Sequence, residues 1–402
     1  MIKAIKKVVL ILLSCTFMIS LNSCAIHNII RIMKYNREVE KNIPDSFRVE
    51  LPLKINPAGY FCIQAHINNQ YGVDFMIDTG AAGGGVIRSD TLKKLGASYW
   101  NTFPIPIKDA SGHKTKIDLY HFNQFDISSI SFGQPLFIEI RQKESYLYKA
   151  LHKNLLGTWM LRNLNWKFSI DEGKMILFSK TDENMRLRET VGYTKIKGGT
   201  GIGRNNKLTF PLIKQTEKFM FDSGYDGEIQ INNKLFTKLS KQMPYRTIMG
   251  RKGSFIYLFE KVDILWNGIT VPRCEIVYNP ASKLTLIGNK LMRRFNFVLA
   301  YRASNSHSSI SSNDLYIQPI KEFDTVKSDP AISNFGFYAR KEEEKLIVNA
   351  IEIGGLAEKA GLKLQDEIVR IDNGTFDLNT EFVEDNLLKY LLNKESVVIE
   401  VK

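Results

Sequence analysis

The stretch Tyr71-Gly-Val-Asp-Phe-Met-Ile-Asp78-Thr79-Gly80 decides the fold, because a second stretch, Glu217-Lys-Phe-Met-Phe-Asp222-Ser223-Gly224, echoes it. Each is a short apolar run of strand character that ends in Asp, a hydroxyl residue and Gly. One such triplet is an ordinary turn signal. Two, each followed at comparable distance by an apolar pair and a Gly (Leu155-Leu156-Gly157 and Leu286-Ile287-Gly288), are an internal repeat. A helix-like turn and a strand then follow, over 159–170 in the first copy and 290–300 in the second. Both copies run in one order: hairpin, Asp-Thr/Ser-Gly, hairpin, apolar-apolar-Gly, strand.

Outward from the repeat, short alternating segments at 47–55, 60–67 and 73–77, separated by Gly, Asn, Asp and Pro, predict an antiparallel, mainly β body. In the first copy, 103–108 and 113–120 alternate around Asp109-Ala110-Ser111-Gly112, a hairpin signal and a candidate flap. Its counterpart in the second copy is 245–249 and 255–260 around Gly250 to Gly253. A Ser/Asn-rich insertion at 303–313 reads as a surface loop. After Pro330 the pattern becomes mixed, with a helix-like segment at 380–392 and a last strand at 397–401. The expected division is 1–23 signal segment, 24–46 stalk, 47–190 first lobe, 191–327 second lobe and 328–402 a third, small α+β domain.

The 402 residues are 44% hydrophobic and 24% charged, ample for two or three cores and too apolar for disorder over most of the length. A single apolar run approaches spanning length, which excludes a multi-span membrane protein. The net charge of +13 is dispersed, not gathered into an arm or stripe, and so suits an anionic envelope surface and not nucleic acid. With 6 His, no His-Glu-x-x-His and no Cys/His cluster, no metal site is expected, and no cofactor. Of the 4 Cys, Cys15 lies in the apolar run, while Cys62 and Cys274 each lie in an apolar strand-like segment and read as two buried thiols.

Lys3, Lys6 and Lys7 precede the apolar stretch 8–21, which is too short to span comfortably and reads as an export signal. Its end, Leu21-Asn22-Ser23-Cys24, resembles the lipobox of bacterial lipoproteins. That resemblance implies cleavage before Cys24, lipidation of its thiol, and a protein held by its acyl chains at the bacterial cell envelope, on a periplasmic or outer-membrane face. The alternative is an uncleaved anchor with an incidental Cys.

The repeat resembles the aspartic peptidases of the pepsin and retropepsin type, over 47 to about 323. The resemblance implies a two-lobed fold in which each lobe donates one Asp, here Asp78 and Asp222. The two carboxyls share a proton and activate a water for attack on a peptide bond of a protein or peptide substrate. Thr79 and Ser223 would lock the two loops through their hydroxyls, Gly80 and Gly224 would allow close approach, and Gly157 and Gly288 would thread beneath. Independently of any family, two adjacent carboxylates cannot both ionise cheaply, so they titrate as a pair and supply an acid and a base at one pH. Ala81 and Tyr225 follow the two Gly residues, where many pepsin-like enzymes carry a hydroxyl that favours the ionised form. Its absence predicts a weakly acid to near-neutral optimum. A catalytically silent peptide-binding scaffold is the rival reading. A serine peptidase is excluded, because no Ser stands in a nucleophile-elbow setting.

Asn334-Phe335-Gly336-Phe337 resembles the carboxylate-binding loop of PDZ domains, and 351–356, 357–362, Asp366-Glu367-Ile368 and 371–374 resemble the remainder. The resemblance implies capture of a C-terminal peptide ligand by the N–H groups of Phe335, Gly336 and Phe337, with strand addition at the sheet edge. Gln365 stands where Gly is usual before Asp366.

Overall fold

The computed structural model describes residues 35, 38–68, 71–81, 84–100, 105–108, 114–140, 154–196, 205–301, 313–323, 332–372, 378 and 383–402. The apolar run at 8–21, Cys24, the turn at 109–113 and all of the 303–313 insertion except Asn313 lie outside them. No helix among the described residues is long and apolar enough to cross a membrane.

The architecture is mainly β, and the two copies of the repeat build the same sheet twice. In the first lobe the strand order is Phe61–Ile67, Tyr71–Ile77, Asn154–Leu156, Gly85–Arg88, Leu136–Ile140, Lys114–His121. In the second it is Asn205–Phe210, Gln215–Phe221, Leu286–Ile287, Ile229–Ile231, Ile269–Tyr278, Phe255–Trp266. Even the strand directions agree. Asn154–Leu156 runs parallel to Tyr71–Ile77 and antiparallel to Gly85–Arg88, as Leu286–Ile287 does to Gln215–Phe221 and Ile229–Ile231. The apolar-apolar-Gly elements are therefore short central strands, apolar because they are covered on both faces: Leu155, Leu156, Leu286 and Ile287 are all buried. The helix-like turns after them are Thr158–Leu161 and Asn289–Met292.

A six-stranded sheet joins the lobes, in the order Arg48–Pro52, Lys174–Phe178, Asn165–Ser169, Phe295–Tyr301, Asn313–Pro319, Thr194–Ile196. At its seam Phe168 pairs with Phe297, their rings stacked 4.4 Å apart. Phe221, the residue before Asp222, meets Phe297 edge-on at 5.6 Å. The seam thus props up one of the two Asp loops from below. Cys62 and Cys274 are buried thiols and are not joined in a disulfide.

The C-terminal unit has its own core, in which Phe337, Val348, Ile351, Leu387 and Leu391 meet. Its strands Phe337–Glu342, Lys345–Glu352, Glu367–Ile371 and Ile399–Val401 are packed by helix Val383–Leu392. They continue the second lobe's sheet, because Lys345–Glu352 pairs with Arg246–Gly250. Gln365 adopts φ 75°, the left-handed turn that Gly would take without cost.

Candidate active site

Asp78 and Asp222 each lie one residue beyond an inner strand, Tyr71–Ile77 or Gln215–Phe221. Each main-chain N–H donates to the central strand beside it, Asp78 to Leu156 O and Asp222 to Ile287 O, both at 2.9 Å. These equivalent bonds fix where each loop leaves its sheet. Four hydrogen bonds then cross between lobes. Thr79 Oγ1 donates to Phe221 O at 2.9 Å and accepts from Ser223 N at 3.0 Å; Ser223 Oγ donates to Ile77 O at 2.7 Å and accepts from Thr79 N at 3.0 Å. Thr79 and Ser223 are 1% and 2% exposed, so the lattice is dry and each lost bond would strand a buried polar group.

The two glycines make the approach possible. A Cβ at Gly80 would stand 2.3 Å from Asp222 Oδ1, and one at Gly224 would stand 2.5 Å from Asp78 Cγ. Every other residue would thus drive its side chain into the opposite carboxylate. Each carboxylate lies against the glycine of the opposite loop. Asp78 Oδ1 accepts from Gly80 N at 2.8 Å and Ala81 N at 2.9 Å, while Asp222 Oδ1 accepts from Gly224 N at 3.0 Å; Tyr225 N donates instead to the main-chain O of Asp222 at 3.1 Å.

Burial raises Asp78 above the usual carboxylate range, opposed by the Gly80 and Ala81 N–H groups. Burial, reinforced by the negative charge of Asp78, pushes Asp222 up to about 8, with the Gly224 N–H pulling the other way. The pair therefore retains a proton at neutral pH, and the two carboxyls share it and titrate together. An ionised carboxylate beside a protonated one is the arrangement that can deprotonate a water and protonate a carbonyl oxygen in the same step.

Two supporting residues carry no signal beyond their place after the apolar-apolar-Gly triplets. Thr158 donates from both N and Oγ1 to Ala81 O at 2.9 Å, and Asn289 N donates to Tyr225 O at 2.8 Å, so each pins the residue that follows an Asp-Thr/Ser-Gly loop. Gly157 and Gly288 donate to Gly84 O and Glu228 O at 3.1 and 2.8 Å. Among the described residues no group of His, Cys, Asp and Glu could hold a metal ion.

Residues 63–158 match the protein family described as aspartyl protease, a stretch that contains Asp78-Thr79-Gly80 and Leu155-Leu156-Gly157. The first lobe is similar to the aspartyl proteases. No match is found among the curated proteins. Among solved structures, the chain is similar to a retropepsin-like aspartic protease from Rickettsia conorii, at 22% identity, over 33% of this chain and 93% of that one, with a TM-score of 0.25. The family match stops short of Asp222, so the likeness of the second lobe to the first stands on geometry: the same strand order, the same loop, and the lattice shared with the first.

The loop Asn334 to Phe337, expected from the sequence to bind a carboxylate, lies 112 residues beyond Asp222. Gly336 adopts φ 81°. Its N–H donates to Ser333 O at 2.9 Å, and that of Phe337 to Ser333 Oγ at 3.3 Å. Further along the same strand, Lys341 N donates to Glu384 Oε1 of helix Val383–Leu392 at 2.9 Å. Two of the three donors expected to meet a peptide carboxylate are thus bonded within the loop, and the helix covers part of the strand edge. The candidate flap strands at Ile105–Lys108 and Lys114–His121 pair as a hairpin.

Proposed function

We propose that the chain is an aspartic endopeptidase that hydrolyses peptide bonds with Asp78 and Asp222, anchored in the bacterial envelope through Cys24. The observation that carries the reading is the pair of carboxyls from two equivalent loops, which are locked together by the buried hydroxyl lattice of Thr79 and Ser223. In this mechanism ionised Asp78 takes a proton from a water as its oxygen bonds to the scissile carbonyl carbon, and Asp222 gives its proton to the carbonyl oxygen. Collapse of the tetrahedral gem-diol breaks the C–N bond: the leaving nitrogen takes the proton that Asp78 acquired, and a gem-diol hydroxyl returns a proton to Asp222, which restores the starting state. No cofactor takes part. The test is cleavage of a peptide library by the purified chain and by Asp222→Asn. The expected result is turnover by the first and none by the second; equal turnover by both would refute the dyad.

Two finer parts belong to the same proposal. Lipidation of Cys24 is supported by the lipobox, and Cys24→Ser should move the protein from the membrane fraction to a soluble one or stall its processing. The C-terminal unit is read as PDZ-like, docking the C-terminus of a peptide or partner. Such a ligand has to displace Glu384 from Lys341 N. Tighter binding of C-terminal peptides by Glu384→Ala than by the unmodified chain would support that docking.

A further inference from the structure

The sheet order makes the hairpin of Arg246–Gly250 with Phe255–Trp266 the second-lobe equivalent of the Ile105–Lys108 and Lys114–His121 hairpin. Their outer edges differ. Among the described residues Ile105–Lys108 pairs with Lys114–His121 alone, whereas Arg246–Gly250 pairs on its second side with the C-terminal unit. From this we infer that the C-terminal unit is a fixed wall of the peptidase, with Arg246 the positioning residue that holds the second-lobe hairpin to it. The inference rests on the peptidase reading above.

Three kinds of contact make the attachment. Along the backbone Ile248, Met249 and Gly250 pair with Glu352, Ile351 and Ala350, and Ile353 N donates to Thr247 O at 2.9 Å. Beneath it Met249 packs into the core of the C-terminal unit, while Tyr338 and Ala350 pack against Ile248, Leu258 and Ile332. At the end stands Arg246, whose planar fork bonds both oxygens of Glu352, Nε to Oε1 at 2.8 Å and Nη2 to Oε2 at 2.5 Å, while Nη1 reaches Glu260 Oε1 at 2.9 Å. One guanidinium therefore ties both strands of the hairpin to the C-terminal unit, which a Lys point charge could not do. A second pair, Arg251 with Glu342, closes the far end of the hairpin turn.

The unit also reaches the first lobe, through Lys389 Nζ to Pro57 O at 3.1 Å. Swinging the second-lobe hairpin would tear a continuous sheet and unseat this brace. The strand addition that PDZ-like sheets offer to foreign peptides is in part spent here on the chain itself, at the neighbouring strand.

The experiment compares the full chain with Arg246→Ala, Arg246→Lys and Ile353→Pro, by amide hydrogen exchange and by steady-state hydrolysis of a short peptide. Arg246→Ala is expected to raise exchange of the 247–250 amides about tenfold with Tm little changed, and to lower kcat by about tenfold with KM nearly constant. Arg246→Lys should recover only part of each effect, and Ile353→Pro, which deletes one cross-unit donor, should reproduce the exchange change. Unchanged exchange in both Arg246→Ala and Ile353→Pro would overturn the clamp, as would faster exchange with kcat unmoved. If the unmodified chain cleaves no peptide, the peptidase reading falls, while the exchange arm still decides the clamp.

Discussion

The two lobes share a strand order and an Asp loop, yet they treat their carboxylates differently. The first lobe gives Asp78 two N–H donors, from Gly80 and Ala81; the second gives Asp222 one, from Gly224, while burial and the charge of Asp78 push Asp222 up to about 8. The lesson is that a duplicated scaffold need not be used symmetrically. The extra N–H at Asp78 favours its ionised form, while burial and the neighbouring charge favour the protonated form of Asp222.

The sharpest way to break that comparison is to remove one acid at a time. Asp78→Asn and Asp222→Asn should each lower hydrolysis by about 10³-fold or more. Both should raise Tm at pH 8. A carboxyl whose folded pKa lies above its unfolded value binds its proton more tightly when folded. Its stabilising contribution is present in acid and is lost as pH rises through the folded pKa. The Tm gain should be larger for Asp222→Asn, and equal gains measured by calorimetry would erase the asymmetry. Next in size, Gly80→Ala and Gly224→Ala should each cut kcat about 10²-fold by pushing the opposite carboxylate aside; activity near the unmodified level in either would mean the loops part freely.

Smaller effects follow from the lattice. Thr79→Val and Ser223→Ala should each cost about 1–3 kcal/mol in denaturant unfolding, and the double variant less than their sum, because each hydroxyl accepts from the main-chain N–H of the other residue and either loss loosens the same loop contact. Full additivity would show that the lobes are not coupled there. The smallest effect is in the pH–rate profile. The basic limb should fall near pH 8 as Asp222 loses its proton, and the acid limb should lie above the usual carboxylate range because burial raises Asp78. Ala81→Ser, adding a hydroxyl beside Asp78, should shift the acid limb downward and leave the basic limb in place.

Much of this site was legible because its signals are local. Asp78-Thr79-Gly80 and Asp222-Ser223-Gly224 carry hydroxyls and glycines whose use is dictated by crowding, and Leu155-Leu156 and Leu286-Ile287 announce buried central strands. The lobe-joining sheet was not legible: nothing in Asn165–Ser169 or Phe295–Tyr301 says that each will find the other across 130 residues. The same holds for Arg246 and Glu352, which in sequence are two surface charges and become a clamp only when strands from different units meet. Helix Val383–Leu392 was placed within a few residues by its apolar spacing, but that it would cover the neighbouring strand edge through Glu384 depends on packing alone.

The lattice of Thr79 and Ser223 also has a meaning for the chain as it is being made. Its two halves lie 144 positions apart, so a first lobe that has already folded holds one carboxylate and no partner for it. On the proposed reading, hydrolytic power does not emerge gradually during synthesis; it switches on when the second loop docks. The same four hydrogen bonds that hold the site together would then act as its safety catch.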